Sequence, residues 1–183
     1  GVRDVRTCPP TLVALVSSPY SRRPTLDGVT EPPEWVRLLD LAPHPEGGWF
    51  RETWRSDLTL DASVLPTHYP DPRSAGTAIL FVLMPDQQSA WHTVRSAELW
   101  LHHRGSPLLL EFGPDPEGAT THVLGPDIGP GEHPQLVVPP GHWQRARPRD
   151  PEPTLVSCIV VPGFDFADFS LGAAPEGNRG RPG

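Results

Sequence analysis

Two residue types at one spacing carry the chemical interest of this chain. His92 lies in the run Ser89–Val94, Glu98 opens the next run six residues later, and His102 and His103 close it. Along a β-strand every second side chain points to the same face. From Glu98 that face includes Trp100 and His102; from His92 it includes Val94. An imidazole and a carboxylate on neighbouring strands, facing one interior, are the start of a metal site, and this donor pair suits Fe, Mn, Ni or Zn. The blander alternative is that His92 caps a loop and Glu98 pairs with a surface arginine, since charged residues are mostly exposed. Arg51 and Arg95 are guanidinium forks suited to a substrate carboxylate or phosphate, or to salt bridges with Glu52, Asp57 or Glu98. Trp100 is either a stacking surface for a ligand or part of the core. His44 and Glu46 flank the pair Gly47-Gly48 and could reach a barrel mouth, but the stretch reads first as a hydrogen-bonded turn. Phe164, Phe166 and Phe169 read as closing packing, His68, His122 and His133 as loop residues, and Cys158 as a small buried hydrophobe.

The elements that must position these groups are short and strand-like. Gly48–Arg55, Thr77–Leu83, Ser89–Val94, Glu98–His103, Pro107–Phe112, Thr120–Leu124, Gln135–Val138, Trp143–Arg147 and Thr154–Val161 are rich in β-formers and separated by Gly, Pro and Asp turn signals. The 26 prolines fall at the ends and between these runs, where the ladder needs no donor. Glu34–Leu41 has helical spacing, with Pro33 near its start. No later segment is long enough for the helix of a βαβ crossover, so the pattern predicts an all-β sandwich or barrel. Residues 1–33 read as a flexible leader, 34–171 as one domain and 172–183 as a disordered tail.

At 183 residues the chain is long enough for one well-buried core, and two cysteines make no disulfide framework. A formal net charge of −7 argues against nucleic acid, which needs clustered Lys and Arg, and against anionic membranes. No apolar run approaches the ~20 residues of a bilayer span. The apolar stretch Thr11–Val16 is shorter than a signal-peptide core of roughly 7–15 residues, so a cytoplasmic address is the default expectation.

Several motifs in register resemble the cupin superfamily. Its first motif, G-x5-H-x-H-x3-4-E-x6-G, is similar to His92-Thr93-Val94-Arg95-Ser96-Ala97-Glu98 followed by Gly105, and Pro139-Pro140-Gly141-His142-Trp143-Gln144 fits the core of the second. The run His44-Pro45-Glu46-Gly47-Gly48-Trp49-Phe50-Arg51-Glu52 and the later Glu98-Leu99-Trp100, Pro134–Pro139 and Pro162–Phe169 resemble the DUF985 (cupin_5) branch over about residues 36–171. The resemblance implies a double-stranded β-helix, or jelly-roll barrel, with a short N-terminal helix. It implies one divalent metal ion (Fe, Ni, Mn or Zn) on a reduced ligand set of His92, Glu98 and the carbonyl oxygen of Gln144, because Val94 and Gln144 stand where two of the usual histidines would be. His102 then serves as an extra ligand or proton carrier, Arg51 as an anion anchor, and Trp100 and Gln135 with Arg51 bind substrate. The implied activity is an oxygenase-type conversion of a small polar metabolite such as an amino acid or keto acid in biosynthesis. The alternatives are a sugar or small-molecule isomerase or epimerase, disfavoured because Tyr20 and Tyr69 both sit in expected loops, and a non-catalytic ligand-binding module. A homodimer is the expected assembly.

Overall fold

The computed structural model describes residues 32–129 and 131–172; the expected leader and tail fall almost entirely outside them, as do Cys8 and Tyr20. After the helix α1 (Glu34–Leu38), thirteen strands follow in chain order. They are β1 (Ala42–Pro43), β2 (Trp49–Arg55), β3 (Thr59–Leu60), β4 (Arg73–Ser74), β5 (Thr77–Leu83), β6 (His92–Val94) and β7 (Ala97–Gly105), then β8 (Leu108–Gly113), β9 (Thr120–Leu124), β10 (Gln135–Val138), β11 (Trp143–Pro148), β12 (Thr154–Val161) and β13 (Phe169–Leu171). They form a six-stranded sheet in the order β1-β2-β5-β12-β7-β10, a five-stranded sheet β13-β6-β11-β8-β9, and a two-stranded ribbon β3-β4. The long strands pair antiparallel. This is the all-β architecture that the strand spacing predicts, in the double-stranded β-helix form that the family resemblance implies.

The two large sheets bury a common core. Phe81 and Trp100 from one sheet meet Leu108, Leu110 and Ala146 from the other. Their alternation with less buried neighbours explains why each strand has one face inside. A second cluster of Val36, Leu41, Val82 and Leu155 anchors α1 against the outer face of the six-stranded sheet. The helix is five residues long rather than the eight expected, because Asp40, two residues after its end, takes a left-handed φ of 53° and turns the chain toward β1. Strand β6 is also shorter than its run. Ser89 leaves the ladder, its N–H donating to the Ala146 carbonyl while its hydroxyl accepts from the Ala146 N–H.

Two irregularities decide which residues face the interior. The pairing of β2 with β5 slips between Glu52 and Trp54, so Thr53 is an extra residue. The pairing of β7 with β12 slips so that His103 is skipped between His102 and Arg104. A bulge of this kind inverts the facing of everything beyond it.

After β12 the chain crosses the mouth of the barrel as a strap that ends in β13. The Gly163 N–H donates to the Ser74 carbonyl at 2.8 Å, and the Phe164 N–H donates to the Thr77 hydroxyl at 3.0 Å. Asp168 pins the far end. Its carboxylate receives two bonds from Arg73, at 2.7 and 3.0 Å, and one from Arg95 at 2.7 Å. Tyr69 lies under both guanidiniums and its hydroxyl is bonded to Ser96 at 2.8 Å. Among the described residues no helix is long and apolar enough to cross a membrane.

Candidate functional site

Between the sheets lies a cavity of about 270 Å³. Its floor is polar and deeply buried: Glu46, His92, Glu98 and Cys158 are each at least nine-tenths covered. Its upper wall is aromatic, with Phe50 on one side and Phe164, Phe166 and Phe169 of the strap on the other.

Each floor residue has a local reason for its place. His92 and Val94 alternate with outward residues along β6, and Glu98 and Trp100 do the same along β7. Glu46 arrives on the turn between β1 and β2. That turn closes tightly on the sheet: a Cβ at Gly48 would sit 2.6 Å from the Val82 carbonyl oxygen, and φ there is 78°. Only glycine fits such a position. The Ala90 N–H donates to the Glu46 carbonyl at 2.7 Å and ties the turn to the start of β6. The expected hydrogen-bonded turn is there, and it also delivers His44 and Glu46 into the cavity.

The hydrogen bonds set the tautomers. Nδ1 of His92 lies 2.9 Å from the Ala90 carbonyl oxygen. A carbonyl only accepts, so Nδ1 carries the hydrogen and Nε2 keeps the lone pair. The Glu46 carboxyl stands 3.2 Å from the same Nδ1. His44 has the opposite arrangement: its Nδ1 accepts from the Glu46 backbone N–H at 3.3 Å, so the neutral ring carries its hydrogen on Nε2. Gln144 is paired by backbone with His92 in the five-stranded sheet. Its side chain crosses to the other sheet, where the amide donates to Glu98 at 2.5 Å and the oxygen accepts from the Trp100 indole N–H at 3.1 Å. The Cys158 thiol also bonds to Glu98.

Burial dominates the electrostatics. It pushes the Glu98 carboxyl up to about 7, against the Gln144 and Cys158 bonds that hold it down. It raises Glu46 well above the ordinary carboxylate value, with the charge of Glu98 adding to the effect. It lowers His92 to about 4, an effect opposed by the bond to Ala90 and reinforced by His44, and it lowers His44 to about 4 as well. The Cys158 thiol is raised well above its usual value, first by burial and then by Glu98 and Glu46. At neutral pH both imidazoles are uncharged.

Of the residues expected to hold the metal, act on substrate or bind it, His92 and Glu98 line this one cavity. The others lie elsewhere. The oxygen of Gln144, expected to ligate metal, is turned toward Trp100. Trp100, expected to stack on substrate, is 1% exposed and packs edge-on against Phe81 in the core below the floor. His102 is four residues along β7 from Glu98, about 13 Å at roughly 3.3 Å per residue, with Trp100 filling the space between. Its ring bonds to the Ser106 carbonyl at 3.1 Å. Arg51 is exposed between Phe50 and Glu52, which face in, so it faces out. Gln135 is exposed on the edge strand β10. Arg55 is the guanidinium that reaches the cavity, because the extra residue Thr53 re-aims β2 after Glu52.

A resident divalent ion needs a third ligand near His92 and Glu98. Among the described residues no three His, Cys, Asp or Glu side chains are grouped to hold one. Gln144 and His102 do not complete the set, for the reasons given. The residues present do not fit the expected metal centre.

Residues 33–172 match the family model described as cupin superfamily (DUF985). The uncharacterized protein YML079W of Saccharomyces cerevisiae is 31% identical over 156 residues, covering 77% of each chain. Protein SO0799 of Shewanella oneidensis, of known crystal structure, is 34% identical with a TM-score of 0.67, over 76% of this chain and 83% of that one. A hypothetical protein from Leishmania major is 33% identical with a TM-score of 0.67, over 75% and 84%.

Proposed function

We propose, on the premise that this chain belongs to the DUF985 branch of the cupin superfamily, that it is an acid–base isomerase of a small carbonyl compound. Many cupins hold a metal ion, but this floor does not assemble the ligands for one, so the isomerase alternative is favoured over the oxygenase. The observation that carries the reading is the orientation of His92. Its Nδ1 hydrogen is held by the Ala90 carbonyl with Glu46 beside it, which leaves an unprotonated Nε2 on the cavity that Glu98 also lines.

A base of this kind removes a proton from the carbon next to a carbonyl group. The C–H electron pair becomes the C=C bond of an enol, and the carbonyl oxygen takes the proton of Glu98. Where the carbon that loses the proton bears a hydroxyl, the intermediate is an enediol: the imidazolium gives its proton to the former carbonyl carbon, the neighbouring hydroxyl gives its proton to Glu98, and the carbonyl group has moved by one carbon with no net redox change. Glu46 fixes the imidazole ring, and Gln144 holds the acid in place by its amide. Tyr69 takes no part, since its hydroxyl is bonded to Ser96 away from the cavity.

The test is incubation of the protein in deuterated water with a panel of small ketones, aldehydes and hydroxyketones, followed by NMR. Deuterium entering the carbon beside a carbonyl group, at a rate proportional to protein, is the expected result. Compounds that bind in the cavity without exchange would instead favour a ligand-binding module.

The pH profile of that exchange follows from the two titrating groups. The base works only when His92 is neutral, so the rate rises through about 4; the acid works only while Glu98 keeps its proton, so the rate falls through about 7. The groups facing the pair are Glu46, His44 and Cys158. Glu98→Gln is expected to remove the upper limb and leave the lower one, measured by the same exchange assay across pH.

A further inference from the structure

We infer that the cavity takes a small molecule with an apolar, aromatic body and an uncharged polar head, and rejects carboxylates and phosphates. The inference rests on the acid–base reading and narrows its substrate class.

The argument starts from the charges on the wall. Arg55 is the cation on the cavity wall among the described residues, and it is paired with Glu52. Its Nε and one terminal nitrogen donate to the two oxygens of Glu52 at 2.9 and 2.7 Å, and both terminal nitrogens reach the Phe164 carbonyl at 3.3 and 3.4 Å. Asp165 stands at the same rim. Arg51, the sequence candidate for an anion anchor, is on the outer face. An anionic head would therefore shed its water beside Glu46 and Glu98 with no cation to receive it, which is strongly unfavourable.

An uncharged head has partners. The described residues offer Nε2 of His92 no hydrogen bond, although its ring is 98% covered. That nitrogen accepts from a hydroxyl, or stands against an acidic C–H. Glu98 supplies the donor for a carbonyl oxygen. An ammonium head would need ionised carboxylates in surroundings that favour their neutral forms.

The body of the ligand is set by the upper wall. Phe164 and Phe166 meet edge to face with centroids 5.1 Å apart, as do His44 and Phe50 at 4.5 Å. Such mixed edges and faces accommodate another ring. A volume of about 270 Å³ lies just below the usual span of ligand pockets, roughly 300–1,000 Å³, so the guest is small.

The experiment compares three probes that share one body: phenylacetamide, phenylacetate and phenethylamine, each titrated into the protein at neutral pH by calorimetry or protein-observed NMR. The amide is expected to bind, with the carboxylate and the amine each at least roughly tenfold weaker. Val160→Phe and Val94→Phe fill the cavity from opposite sheets, and whichever variant folds should lose the amide. Tighter or equal binding of either charged probe overturns the inference. So does survival of amide binding in a folded, filled variant, or failure of all three probes to bind at millimolar concentration. Binding is read without turnover, so the expected order with no proton exchange would sink the reaction and leave this inference standing. Exchange observed on a carboxylate compound alone would do the reverse.

Discussion

Replacing His92 with asparagine is expected to lower the rate of proton exchange by about 10²–10⁴-fold, the usual contribution of a positioned general base. The substitution is chosen for what it keeps. The carboxamide nitrogen can still donate to the Ala90 carbonyl, the bond that Nδ1 makes now, while the lone pair at Nε2 disappears. Binding of the neutral probe should survive within a few-fold, because Glu98 and the aromatic wall remain. The rate is measured by NMR in deuterated water on whichever compound exchanges with the parent. An exchange rate equal to the parent's would remove His92 from the chemistry.

The largest expected change in stability comes from Asp168→Ala. Asp168 and Arg73 side chains are 1% and 5% exposed, and removing the carboxylate strands the Arg73 guanidinium. Breaking a buried pair from one side costs roughly 3–5 kcal/mol. For a chain of this size that is a fall in Tm of roughly 6–20 °C, read by circular dichroism. Arg95 loses its bond too, but it is a third exposed and can turn to water. The pair-deleting variant Arg73→Met with Asp168→Leu should recover much of the loss, since it leaves no stranded charge at Arg73. If the double variant is as unstable as the single, the loss is one of packing and not of charge. Burial tends to raise the Asp168 carboxyl, but its bonds to Arg73 and Arg95 outweigh that and hold it below the usual value. The folded state therefore releases this proton more readily than the unfolded chain. The contribution is complete above the ordinary Asp range and is lost as pH falls through the lowered value.

Much of the architecture could be read from alternation. Thr77–Leu83, Thr120–Leu124, Gln135–Val138 and Thr154–Val161 are strands at the bounds the pattern predicts. These runs pair along unbroken ladders, or across one slip, and their period survives intact. His92 and Glu98 were legible for the same reason: both sit near the start of a strand, before any irregularity accumulates.

What stayed hidden depends on events that period cannot register. The extra residue at Thr53 exchanges the facings of Trp54 and Arg55, so the guanidinium at the cavity is not the one expected. His102 keeps its nominal parity but sits beyond Trp100, whose ring occupies the interior. His44 and Glu46 lie on a turn, where no period applies; the signal that pointed to them was the glycine pair that lets the turn approach the sheet. The rotation of the Gln144 amide, oxygen toward Trp100 and nitrogen toward Glu98, follows from the indole N–H and from the carboxyl needing a donor. No one-dimensional pattern carries that choice.

The reach of the Gln144 amide from one sheet to the other has a wider meaning. It braces the interval between the two floor residues from across the sheets, in addition to the two-residue link Arg95-Ser96 that joins their strands. The roof belongs to a separate strap fastened by its own ionic clasp. Changes at Phe164 and Phe166 would therefore suit a new guest with little disturbance of the floor, whereas Phe169, whose ring centroid lies 5.5 Å from that of His92, ties the strap to the base itself.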